Sequence, residues 1–138
     1  MPDNKPRKPL RPAIAFDRAS LRYVPGEDIL TDVSFEIAHG DFTFLTGPSG
    51  AGKSTLLKMI YMALRPSEGR VKLFGEDISK LRRAQLPPLR RRVGVVFQEF
   101  RLLEHLSAFE NVALPLKVTG SPPKSYREDV AELLTWVG

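Results

Sequence analysis

Apolar and polar positions alternate through the first part of the chain: Ile14 and Phe16, then Leu21 and Tyr23, then Val33, Phe35 and Ile37 fall at every second residue. That period predicts strands with one buried face. The Pro25-Gly26 pair predicts a turn between the second and third runs, and His39-Gly40-Asp41 predicts another. Residues 42–46 then read as a compact apolar strand. At Gly47 the period changes. Leu56, Leu57, Met59, Ile60, Ala63 and Leu64 make residues 53–64 apolar on most of a helical circumference, which predicts a helix buried inside an α/β core. Residues 66–69 end it, and 70–74 read as a further strand closed by Gly75. A basic, helix-like stretch at 78–92, interrupted by Pro87-Pro88, leads to a short strand at 93–97. Tyr126, Val130, Leu133, Leu134 and Val137 share one helical face, with Ser125 as N-cap and Arg127-Glu128-Asp129 in the first turn.

Composition narrows the classes. A chain of 138 residues that is 42% hydrophobic and 27% charged suits one soluble globular domain and excludes disorder or a collagen-like fibre. With no cysteine there is no disulfide framework and no thiolate zinc site, so a metal would have to bind through oxygen or imidazole. His39 and His105 have no metal-ligand spacing and read as turn and surface residues. Pro9, Pro12 and Asp17 break any signal-like apolar run, and the longest apolar stretch, 55–64, contains Lys58. It is far short of the ~20 residues that cross a bilayer, so any membrane contact is expected to be peripheral.

The net charge of +5 is uneven. Lys5, Arg7, Lys8 and Arg11 against Asp3 put +3 in a Pro/Lys/Arg-rich arm. Lys80, Arg82, Arg83, Arg90, Arg91 and Arg92 add +6 with no acid, which leaves -4 for the rest. Such segments suit an anionic surface, a membrane face or nucleic acid; a solvated tail and helix face is the plainer reading. No aromatic residue is interleaved with the basic stretch, so no specific nucleic-acid partner is expected.

The strongest chemical signal is Gly47-Pro48-Ser49-Gly50-Ala51-Gly52-Lys53-Ser54, a phosphate-loop pattern placed between a predicted strand and a predicted helix. A chance match in a chain of this length has a probability of ~0.5%. Glycines let the backbone curl with its amides pointing inward, and the following helix end also favours negative charge. A side chain at Gly50 or Gly52 is expected to obstruct the phosphates. Lys53 supplies a mobile positive charge for the β- and γ-phosphates, the Ser54 hydroxyl can ligate Mg²⁺, and Thr55 can reach the α-phosphate.

Phosphate binding alone leaves several classes open, and other segments narrow them. The loop with Thr55, then Ser67-Glu68-Gly69, then Val95-Val96-Phe97-Gln98, resembles the ATP-binding subunits of ABC-type complexes. The resemblance runs from Ile14 onward. Val95 to Leu103 and Ala108 to Leu116 make it most similar to the cell-division branch, while lipoprotein-releasing and macrolide-export ATPases share much of the text. It implies an α/β P-loop NTPase fold with an N-terminal antiparallel β subdomain. It also implies ATP and Mg²⁺ as ligands, Tyr23 stacking on adenine and Gln98 as a second Mg²⁺ ligand. A homodimer is implied, joined through the segment after Gln98 to an integral membrane subunit, on the cytoplasmic face of the bacterial cell membrane. Phe100, Leu102 and Leu103 are the apolar contacts expected for that subunit.

One departure qualifies the resemblance. The family's signature sequence, its Walker B Asp with the catalytic Glu, and its switch histidine do not appear: Leu106-Ser107-Ala108-Phe109 lacks the glycines, and Ala13 to Asp17 precedes the loop. The expectation is therefore a basic arm at 1–12 followed, at 13–138, by the N-terminal part of such a domain, its core incomplete and cut within the helical region. This stretch is expected to bind ATP without hydrolysing it, which makes a nucleotide-binding scaffold the alternative from another class.

Overall fold

The structure, a computed structural model of the chain, describes residues 12–24 and 26–138, so the basic arm up to Arg11, and Pro25, lie outside it. Strands β1 (Ile14–Val24) and β2 (Glu27–Ile37) form one antiparallel hairpin, closed beside Gly26 at φ 96°. The runs at Ile14/Phe16 and Leu21/Tyr23 are a single strand. They are out of phase by one residue, and a β-bulge absorbs the mismatch: Arg18 takes φ 47° and the register shifts, so Phe16, Ala19 and Leu21 are all buried. Serine hydroxyls serve amides where the ladder is disturbed. Arg18 N–H donates to Ser34 Oγ at 2.9 Å and Asp32 N–H to Ser20 Oγ at 3.0 Å.

Strand β3 (Glu68–Leu73) pairs antiparallel with the other edge of β1, and β4 (Glu76–Asp77) completes the order β2-β1-β3-β4. Helix α1 (Lys53–Ile60) adds Leu56 and Met59 to a core that includes Leu21, Leu30, Val71 and Leu73. It is shorter than the predicted 53–64. Met62 adopts φ 60°, and the Lys58 carbonyl accepts from both Ala63 N–H (2.8 Å) and Leu64 N–H (3.1 Å), a widened turn that stops the helix. Only one face is buried, since Leu57 and Ala63 are exposed.

Past a 3₁₀ turn at Arg83–Gln85, helix α2 (Leu86–Arg90) is anchored by buried Leu86 and Leu89. Pro87-Pro88 do not interrupt a helix. They sit in the first turn of α2, where a missing N–H costs nothing, and so help to start it.

Two predicted strands, 42–46 and 93–97, are not strands, and neither has a ladder partner among the described residues. Phe42 is 85% exposed, Phe44 78%, and Val96 wholly so. An apolar run becomes a strand only where a neighbour supplies hydrogen-bond partners for its backbone.

The first compact unit ends at Val93 and the second begins at Gly94. The second contains α3 (Ala108–Val118), a 3₁₀ turn at Pro123–Ser125 and α4 (Arg127–Val137). Its core is Ala113, Tyr126 and Val130, flanked by Phe109, Val112, Leu116 and Leu134. A reciprocal cap starts α3: Ser107 Oγ accepts from Glu110 N–H at 3.2 Å, and Glu110 Oε2 accepts from Ser107 N–H at 2.9 Å. Ser125 is not the N-cap of α4. Its hydroxyl donates to the Pro122 carbonyl at 2.7 Å within the 3₁₀ turn, and Tyr126 takes the cap position. Leu133 and Val137, predicted on the packed face, are exposed.

Candidate phosphate-binding site

The loop 47–52 leads directly into α1, and its shape comes from three glycines at positive φ: Gly47 at 153°, Gly50 at 81° and Gly52 at 83°. A turn at Ser49-Gly50 brings Ala51 N–H to the Pro48 carbonyl at 3.3 Å. The first intrahelical bond joins Leu56 N–H to the Gly52 carbonyl at 2.9 Å, so the amides of Lys53, Ser54 and Thr55 lie in the first turn without intrahelical acceptors. Among the described residues no side chain caps this helix end, and no acid stands in its first turn. Its partial positive charge is therefore uncompensated, as an anion site requires.

Lys53 is folded over the loop. Its ammonium donates to the Gly47 carbonyl at 2.7 Å and the Pro48 carbonyl at 2.6 Å. Those two bonds hold a full positive charge beside the loop, where phosphate oxygens can replace the carbonyls as acceptors. Ser54 is exposed and makes no side-chain hydrogen bond among the described residues, so its oxygen is a free donor; Thr55 beside it is buried.

The glycines divide by cause. A methyl group at Gly50 would meet nothing within 4 Å, so among the described residues only the backbone angle demands glycine there. At Gly52 it would lie 2.6 Å from Leu30 Cδ2 and 3.2 Å from the Ile29 carbonyl oxygen. Beside the expectation that a Gly52 side chain would obstruct phosphates stands a second demand for glycine: the side chain would strike β2.

That close approach ties the loop to the hairpin. Leu30 is the register partner of Leu21, and Tyr23 stands two residues further along β1 with its side chain 55% exposed. Arg22 braces this strand end, bonded to Asp28 and, at 2.6 Å, to Glu68. The Asp28 hydrogen bond is the larger cause of a guanidinium pKa raised above its ordinary value.

Gln98 lies in the second unit, exposed and without a side-chain hydrogen bond among the described residues. His39 occupies a turn, its ring 6.2 Å from that of Phe74, and His105 is exposed. Among the described residues no three His, Asp or Glu side chains are grouped to hold a metal. A free Ser54 hydroxyl without a carboxylate cage suits Mg²⁺ carried in largely by substrate phosphates, the usual habit of this ion.

Sequence reasoning missed Asn111. Its side-chain amide donates to the carbonyls of Leu103 (3.1 Å), Leu106 (3.1 Å) and Ser107 (3.0 Å), while its oxygen accepts from Leu103 N–H at 2.8 Å. This clamp fixes the end of the loop that carries exposed Phe100, Leu102 and Leu103. The available signal was Ser107-x-x-Glu110, which announces the start of α3 and hence places Asn111 in its first turn.

The family described as ABC transporter matches residues 30–138. The cell division ATP-binding protein FtsE of Escherichia coli K12 is 42% identical over 125 residues, covering 91% of this chain and 56% of that protein. FtsE of Bacillus subtilis is 42% identical over 115 residues, covering 83% and 50%. The methionine import ATP-binding protein MetN of Cereibacter sphaeroides is 42% identical over 130 residues, covering 91% of this chain and 37% of its own. Among solved structures, a dimeric ATP-binding cassette in a post-hydrolysis state with ADP and Pi superposes with a TM-score of 0.79 at 33% identity, covering 88% of this chain and 56% of that one. The chain spans about half the length of the FtsE proteins it matches.

Proposed function

We propose that this chain, which belongs to the ABC transporter family, is the phosphate-holding part of an ATP-binding subunit. The observation that carries the reading is the loop 47–54, with positive-φ glycines opening onto an uncapped helix end and the Lys53 ammonium held beside it. In this reading the loop, from Gly47 through Pro48, Ser49, Gly50, Ala51 and Gly52, wraps the triphosphate with inward amides. Lys53 exchanges the Gly47 and Pro48 carbonyls for β- and γ-phosphate oxygens, and the first turn with Thr55 receives the α-phosphate. Tyr23, exposed at the strand end, stacks on the adenine, a contact worth ~1 to 3 kcal/mol. Ser54 and Gln98 are the oxygen donors for Mg²⁺, which when bound neutralises phosphate charge. Hydrolysis belongs to the complete subunit as a homodimer, and no residue of this stretch is assigned a catalytic role.

The partner we infer is a membrane subunit of the FtsX kind, met through Phe100, Leu102 and Leu103, with the subunit peripheral on the cytoplasmic membrane face and serving cell division. Two FtsE proteins at 42% identity support this. The equal identity to MetN supports a second reading as the ATPase of a transporter, import or export. Affinity purification of the complete protein separates them by the membrane subunit it retains.

Lys53→Ala in the complete protein is expected to weaken Mg-ATP binding more than tenfold in a fluorescent nucleotide titration, the loss of about 1.4 kcal/mol or more expected when a charge-assisted contact goes. Affinity equal to the unmodified protein would rule out the phosphate role.

A further inference from the structure

The basic stretch from Lys80 to Arg92 takes no part in the nucleotide reading, and its packing shows what faces outward. Leu86 and Leu89 are buried, Ile78 is fully enclosed, and Leu81 packs partly against the same core. Every large apolar side chain of the stretch is thus directed inward, while all six cations are exposed. Among the described residues only Lys80 meets a carboxylate, Asp77 at 4.0 Å. Arg90 donates to the Met62 carbonyl at 2.7 Å and Arg92 lies 4.1 Å from the centre of the Phe74 ring. Neither contact neutralises charge; each fixes a cation in place. Arg82, Arg83 and Arg91 have no ion pair, hydrogen bond or ring contact from their side chains among the described residues.

Six positive charges within 13 residues, carried by a short anchored helix, its 3₁₀ turn and the turns on either side, give this face a positive potential that an anionic surface would relieve. From this patch we infer a docking surface for the headgroup phosphates of an anionic lipid bilayer. The composition favours lipid over nucleic acid: residues 78–93 hold no aromatic ring for stacking bases, and α2 has only five residues, two of them proline, with which to enter a groove. No apolar side chain projects for insertion, so the contact is electrostatic and lies flat on the surface. The inference is independent of the nucleotide site.

The test is vesicle flotation of the full chain without nucleotide, comparing phosphatidylcholine vesicles with the same vesicles containing phosphatidylglycerol. The chain should float only with the anionic vesicles and be released by added salt. Arg82→Gln with Arg83→Gln and Arg91→Gln removes three charges that hold nothing in the fold. It should weaken vesicle binding at least about tenfold, while Lys53→Ala leaves that binding intact and fails only in nucleotide titration. Flotation with neutral vesicles, or a triple variant that binds within twofold of the parent, would overturn the proposal. So would preferential retention on an oligonucleotide. The variants leave the N-terminal arm unchanged, so binding through the arm alone would show as no effect.

Discussion

A methyl group on Gly69 would lie 1.9 Å from the Arg18 carbonyl oxygen and 2.6 Å from that of Asp17, because Gly69 stands opposite the bulge, between the register pairs Asp17–Arg70 and Ser20–Glu68. Neither neighbour is a side-chain tip that can turn away. Gly69→Ala is therefore expected to cost more than about 4 kcal/mol, enough to prevent a cooperative unfolding transition in urea. Gly52→Ala is different in kind. Its φ of 83° costs an alanine about 1–2 kcal/mol, and the nearest atom, Leu30 Cδ2, can move. The variant should fold with a lowered urea midpoint and, with the loop displaced from β2, bind nucleotide more weakly. The glycine spacing of this loop was legible because the motif is local, eight consecutive residues whose backbone needs are met within the loop. The reason for Gly52 was not, since it rests on Leu30, 22 residues earlier, across a contact that spacing does not encode.

At the scale of elements, the same division holds. The hairpin β1–β2 was readable because alternation reports burial directly, and its bulge was present as a phase change between Phe16 and Leu21. Residues 42–46 have the composition of a strand without the ladder, because partners for a backbone are not written in the segment itself. Helix α3 escaped because Pro115 lies inside it and hides its period, although its reciprocal cap is plain at Ser107 and Glu110. Hydrogen bonds from the Ser107 backbone, then from its side chain, hold the Glu110 carboxyl below the ordinary value of 4.5. A depressed carboxylate stabilises above its ordinary value, and the contribution is lost as pH falls through the lowered native one. Fraying of α3 should thus begin below pH 4.5, and Glu110→Gln should remove that pH dependence of helicity, followed by circular dichroism with an NMR titration of the Glu110 side chain. Asn111→Ala, which strips four hydrogen bonds from the loop 103–107, should cost about 2 kcal/mol. Under the proposed function it should also loosen the hold on the membrane subunit while leaving nucleotide affinity unchanged.

Over the whole molecule, the distribution of apolar surface departs from that of a self-contained globule. Phe42 and Phe44 stand edge to face, 5.0 Å between ring centres, yet both are largely exposed; Phe100 is 88% exposed and Trp136 83%. In the first unit the exposed aromatics follow β2 along a backbone that has no ladder partner among the described residues, the combination that pairs readily with any other extended chain. The antiparallel sheet and α1 form a closed core without them, so folding of that core does not remove the hazard. The 138-residue chain should accordingly bind a hydrophobic dye while retaining a cooperative transition, and self-associate as concentration rises, measured by light scattering after size exclusion. Replacing Phe42 and Phe44 by Lys should suppress the association without lowering the unfolding midpoint, since neither ring belongs to the buried cluster. A dye-silent monomer at all concentrations would mean that residues 42–46 are covered within the chain itself.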